Sequence, residues 1–158
     1  MEKIRNHKGL IVYQIAYQAA LEINEITKLF PQEEKYSLTD QIRRSSRSLC
    51  ANLAEAWRKR KYPKNFISKL TDVEAEAWET QVWLDFSESF GYIDQKTHDD
   101  LYDKYDHIIA MLINISNNPD KWTVWHADMW ACSRVVVVSS GRAIVPSCSR
   151  VVVKSCSR

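Results

Sequence analysis

Gln41-Ile42-Arg43-Arg44-Ser45-Ser46-Arg47-Ser48-Leu49-Cys50-Ala51-Asn52-Leu53-Ala54-Glu55-Ala56 is the stretch that decides the fold. Together with Leu38 just upstream, Ile42, Ser45, Leu49, Asn52 and Ala56 recur at alternating spacings of four and three, and Leu53 widens the stripe. That rhythm keeps one set of side chains on one face of a helix with 3.6 residues per turn. Ser37 and Asp40 have the spacing of a capping box, so the helix is expected to start there and run to about Arg58.

The same rhythm appears on both sides of this helix. Upstream, Val12, Ala16, Ala19, Ile23, Ile26 and Phe30 mark a helix between Gly9 and Phe30 that Pro31 ends. Downstream, the basic link Arg58-Lys59-Arg60-Lys61-Tyr62 leads to Pro63, well suited to open a third helix along Phe66, Leu70, Val73, Ala77, Thr80 and Leu84. Gly91 suits the left-handed residue that closes it. Asp94 can cap a fourth helix with Leu101, Tyr105, Ile108, Leu112 and Ile115, stopped at Asn117-Asn118-Pro119. Four amphipathic helices with short links can bury their stripes only against one another, which predicts an all-α, up-down-up-down four-helix bundle over residues 1–122. Three Gly and four Pro in 158 residues are too few for the turns of a β-sandwich or barrel. Tyr13, Tyr17, Trp57, Trp78 and Trp83 fall on or beside a second stripe, more apolar surface than one core needs, and that implies self-association.

From residue 123 to 158 helical periodicity stops, and Cys132-Ser133-Arg134-Val135-Val136-Val137 recurs as Cys148-Ser149-Arg150-Val151-Val152-Val153. Two isolated valine segments cannot form a stable sheet, so an irregular, disordered and aggregation-prone tail is expected. A basic arm that contacts RNA or an anionic surface, or an altered reading frame, would also account for the repeat.

Charge is divided unevenly along the chain. Residues 43–69 hold nine basic and one acidic side chain and residues 70–122 hold three and twelve, so a net charge of +2 conceals opposed segments. Either the basic segment recruits a polyanion or it pairs with the acidic one. No apolar run is long enough to span a membrane, and the N-terminus lacks the apolar core of a signal peptide; a cytoplasmic protein is expected.

Little in the sequence supports catalysis. Cys50, Cys132, Cys148 and Cys156 lack the paired short spacing of a zinc site or a disulfide framework and read as free thiols. A di-iron bundle needs Glu-x-x-His pairs, and there are none; His98 and His107 lie near Asp99, Asp103 and Asp106, which read as a solvated face. Neither Cys50 nor the serines have a His at an interpretable position, and no Gly-rich phosphate loop exists. The expectation is a binding protein with no catalytic residue, cofactor or metal.

The candidate binding residues are Arg43, Arg44, Arg47, Arg58, Lys59, Arg60, Lys61 and Lys64, eight cations with only Glu55 among them. They could form a basic rim for nucleic-acid phosphate, RNA or DNA. Alternatively, the three arginines of the second helix could pair with Asp72, Glu76 and Glu79 on the third, giving a protein-interaction scaffold with internally neutralised charge. Asn52 falls on the apolar seam, where a buried amide fixes helix register. Glu55 could pair with Arg58 or Lys59, or join Asn52 in a structural polar cluster between helices.

Phe30-Pro31-x-x-Glu34-x-Tyr36-x-Leu38-x-x-Gln41-Ile42-Arg43-Arg44-Ser45, then Asn52-Leu53-Ala54-Glu55, Glu79-Thr80-Gln81-Val82-Trp83-Leu84 and Gly91-Tyr92-Ile93, resemble the four-helix bundle proteins encoded in intervening sequences of bacterial 23S ribosomal RNA genes. The resemblance covers roughly residues 8–122. That family is similar to the accessory variability determinant of diversity-generating retroelements, a pentameric bundle that binds nucleic acid and a reverse transcriptase. The resemblance therefore implies a homopentamer with a basic surface whose partners are RNA or DNA, or a protein such as a reverse transcriptase. Where the family usually has Gly after Asn-Ile-Ala-Glu, this chain has Ala56-Trp57, and the valine-rich tail has no counterpart.

Overall fold

The computed structural model describes residues 4–123. They form four long helices, α1 (Ile11–Ile26), α2 (Leu38–Lys59), α3 (Pro63–Ser89) and α4 (Gln95–Asn117), with short 3-10 turns at His7–Gly9, Thr27–Leu29, Gln32–Tyr36 and Pro119–Lys121. α2 packs on α1 and α3, and α4 packs on the same two, which closes a four-helix bundle. The chain is all-α: among the described residues there is no strand, and no helix is long and apolar enough to cross a membrane. The expected tail, residues 123–158, lies almost wholly outside the described residues.

The inward stripes fill the core. Val12, Ile23, Leu49, Leu53, Phe66, Leu70, Leu84, Leu101, Ile108 and Leu112 are all buried, and area removed from water at about 25 cal/mol per Å² makes this the main stabilising contribution. Ser45 and Thr80 are buried with them: Thr80 Oγ1 has two acceptors in reach, Ser45 Oγ at 2.9 Å and Glu76 O at 2.8 Å, and Ser45 Oγ donates to Ile42 O at 3.3 Å. The Ser45–Thr80 contact ties α2 to α3.

The helix ends follow sequence in two cases and depart from it in one. Gly91 takes φ +74°, and its N–H and that of Tyr92 donate to Glu88 and Ser87, closing α3. Asp94 accepts from Thr97 N at 3.1 Å at the start of α4. The Ser37/Asp40 capping box does not form. Glu34, on the preceding 3-10 turn, accepts from the Ser37 hydroxyl and from Leu38 N, so α2 is capped from upstream. The Ser37 hydroxyl and the Leu38 N–H hold the Glu34 carboxyl below its usual range, in that order of effect. Trp57 also departs: it is 8% exposed and lies in the core, not on a second stripe. Where family members usually have Gly, Ala56 and Trp57 are both buried, and α2 continues through them to Lys59.

Candidate nucleic-acid interface

The eight candidate cations form two patches. Arg43, Arg44 and Arg47 belong to the first half of α2; Arg58 to Lys64 belong to its end and to the start of α3. At 1.5 Å per residue, Arg47 and Arg58 stand roughly 16 Å apart along the helix.

The first patch faces α1 and not α3. Arg43 is half-buried, with Nε donating to Thr27 Oγ1 at 2.7 Å, and Arg47 Nη2 donates to Asn24 Oδ1 at 2.9 Å. Thr27 is itself buried and passes its own hydroxyl proton to Ile23 O. These partners are neutral, so they orient the guanidinium groups without cancelling their charge. The expected pairing with Asp72, Glu76 and Glu79 is absent among the described residues. Glu76 accepts from Ser48 Oγ at 2.6 Å, Glu79 accepts from Trp83 Nε1 at 3.1 Å, and Asp72 pairs with Lys69. The rotation of α2 about its axis explains the difference, since it turns Arg43 and Arg47 toward α1.

Lys35, absent from the sequence-derived set, joins this patch. It lines a shallow groove of about 530 Å³ with Asp40, Arg43, Arg44 and Arg47. Its ammonium lies 5.0 Å from the centre of the Tyr36 ring, which is 84% exposed. Only folding of the 3-10 turn against α2 brings Lys35 there; in sequence it sits in a segment where acids balance bases.

In the second patch Arg58, Lys61 and Lys64 are exposed. The Arg60 guanidinium lies 3.2 Å from the centre of the Trp57 ring and its Nε donates to Trp57 O at 2.9 Å. Burial there lowers its pKa, though a guanidinium remains charged at neutral pH. Lys59 pairs with Glu55 at 2.7 Å, and Glu55 also takes Lys69 at 2.9 Å. Those two lysines, Lys59 first, hold the Glu55 carboxyl below its usual range.

Asn52 and Glu55 do not share a cluster. Asn52 is half-buried at the edge of the α2–α3 seam and donates to Ser48 Oγ, while Glu55 looks toward Lys59 and Lys69. Several residues of the family-like motifs act as joints: Gln81, fully buried, donates to Asp106 Oδ1 at 2.7 Å, and Glu34 accepts from Tyr92 OH as well as capping α2. Burial pushes the Cys50 thiol up to about 11, so it is protonated at neutral pH and a poor nucleophile.

A family model described as 23S rRNA-intervening sequence protein matches residues 8–114. The crystal structure of a protein of unknown function from the S23 ribosomal protein family of Bacteroides thetaiotaomicron is similar, with 29% identity, 67% of this chain and 98% of that one covered, and a TM-score of 0.61. No curated protein matches.

Proposed function

This chain belongs to the 23S rRNA-intervening sequence protein family, and we propose from that premise that it is a non-enzymatic, RNA-binding adaptor that works as a homo-oligomer in the cytoplasm. One observation carries the reading. Of the eight cations from Arg43 to Lys64, Lys59 alone stands in an ion pair among the described residues. The acids of α3 are engaged with Lys69, His98 and hydroxyl or indole donors, or stand free, and so leave the basic surface open to phosphate. A scaffold that neutralised its own charge within one chain would show the opposite pattern.

Binding of this kind is governed by charge and shape. Phosphate contacts position a nucleic acid and release its counterions without reading base identity, so RNA is bound with little sequence preference and DNA competes for the same surface. A pentamer, as the similarity to the accessory variability determinant implies, would repeat the patches around one particle and raise avidity. Cys50 is unsuited to act as a nucleophile: it is buried, its thiol is protonated at neutral pH, and among the described residues no base is hydrogen-bonded to it.

The test is retention of the full chain on a 23S ribosomal RNA fragment at about 50 and 200 mM salt, a range over which several phosphate contacts change affinity by orders of magnitude. Replacing Arg58, Lys61 and Lys64 by Gln should weaken binding about equally for unrelated sequences. It should also flatten the salt slope by roughly 0.7–0.9 for each phosphate that is no longer neutralised. Absence of retention at the lower salt would sink the reading.

A further inference from the structure

α3 is apolar on two sides. Its outward side carries Trp78, Val82 and Phe86, and Phe90 at the C-cap continues the row, each four residues beyond the last and between 43% and 54% exposed. Residues spaced by four form one of the ridges with which helices pack into each other's grooves. At its C-terminal end the rings adjoin, Phe86 to Phe90 at 5.7 Å and Phe90 to Tyr92 at 5.7 Å. Glu74 heads the same row one turn before Trp78, Glu79 and Asp85 flank it on opposite sides, and neither Glu74 nor Glu79 meets a cation among the described residues.

A matching surface lies on other elements. Between α1 and α2 runs an open groove of about 460 Å³ lined by Tyr13, Tyr17, Leu21, Ala51 and Ala54, with Arg47 in its wall. Tyr13, Tyr17 and Leu21 are themselves a row spaced by four, and the two tyrosine rings stack at 6.1 Å. Ala51 and Ala54 leave the floor low; Arg47 and Ala51 are shared with the adjoining groove that Arg44 lines, and both arginines are exposed.

We propose that the α3 ridge of one copy seats in the α1–α2 groove of the next, with its flanking carboxylates against Arg44 and Arg47. Charge selects this occupant. A ridge bordered by carboxylates repels a polyanion, and two ridges set face to face would oppose acid to acid, whereas ridge on groove joins apolar to apolar and acid to base. Because the two surfaces differ, the contact is head-to-tail, and its repetition gives a ring where the rotation closes. The inference rests on the self-assembly in the proposed function and is independent of its RNA component. It also divides the cations: Arg44 and Arg47 serve assembly, while Arg58, Lys61 and Lys64 remain for phosphate.

Mixing charge-reversed full-length chains tests it, by size-exclusion chromatography with light scattering and without RNA. R44E/R47E makes groove and ridge both acidic; E74K/E79K makes both basic. Each alone is expected to lose self-association by at least about tenfold, and the equimolar mixture to regain it with the two variants alternating. Circular dichroism checks that each variant stays helical, and a variant that does not is replaced by its single-site form, Arg47→Glu or Glu79→Lys. A monomeric wild type at tens of micromolar, a variant that assembles alone as the wild type does, or a mixture that stays apart would each overturn the proposal. Failure to retain RNA in chains that obey the mixing rule would instead remove only the RNA component of the function.

Discussion

The two faces of α3 carry similar side chains and meet different fates. Leu70, Val73, Ala77 and Leu84 are at most 2% exposed, whereas Trp78, Val82 and Phe86 on the same helix, and Phe90 at its C-cap, are about half exposed. Spacing separates them. Alternating steps of three and four hold the inward residues on one line, while strict steps of four drift about 40° each and wind the outward row across the surface. A bundle core can use only the straight stripe, so an apolar row that winds away from it is available to another molecule.

The largest expected effect breaks the inward face. Leu70→Ala removes a fully enclosed side chain and should cost about 2–5 kcal/mol in urea-induced unfolding, because the transfer energy of the missing atoms and a residual cavity add. Trp78→Ser, one face away, should change the stability of the dissociated monomer by no more than about 0.5 kcal/mol while reducing self-association. Equal costs at the two positions would mean that the outward row is structural after all.

The turn that follows α3 offers a middle-sized test. Gly91 sits at φ +74° with no atom close to where a Cβ would stand, so Gly91→Ala is penalised by backbone conformation alone. A loss of about 1–2 kcal/mol is expected, with less for Gly91→Asn, since Asn tolerates the left-handed region better. Measured by chemical denaturation, a neutral Ala variant would show that the α3–α4 turn relaxes and does not fix the orientation of the outward row.

The inward stripes of all four helices are legible in the sequence because burial enforces their rhythm residue by residue. Periodicity fixes which side of a helix faces in, but not which neighbour lies to its left or right. For that reason the cations of α2 can be identified as a set, while the turn of Arg43 and Arg47 toward Thr27 and Asn24, and away from Asp72 and Glu76, cannot. The cap of α2 escapes the sequence for a related reason. Glu34 reaches Leu38 only after the Gln32–Tyr36 turn has folded, and a local box at Ser37 and Asp40 carries no sign of it. Asn52 has the spacing of a seam residue, yet a half-buried amide at the seam's edge follows the same spacing as a buried one.

The smallest expected effect concerns the border of the outward face. His98 on α4 lies 2.9 Å from Asp85 of α3 and 3.0 Å from Asp99, with the Tyr102 ring 5.3 Å away. Burial disfavours the charged imidazole, but the hydrogen bonds and charges of Asp99 and Asp85 outweigh it, and the net effect raises the His98 pKa. A group whose folded pKa lies above its unfolded value stabilises the protein fully below the unfolded value, about 6.5, and loses that contribution as pH rises through the folded value. Denaturation midpoints should therefore decline modestly from about pH 6 to pH 8. His98→Gln should flatten the profile in that window alone, because the amide still spans α3 and α4 but cannot titrate. A wild-type profile that rises there, or one that His98→Gln leaves unchanged, would show that the carboxylates do not hold the proton, and that α4 leaves Asp85, beside the ridge, free to meet a partner's cation at every pH.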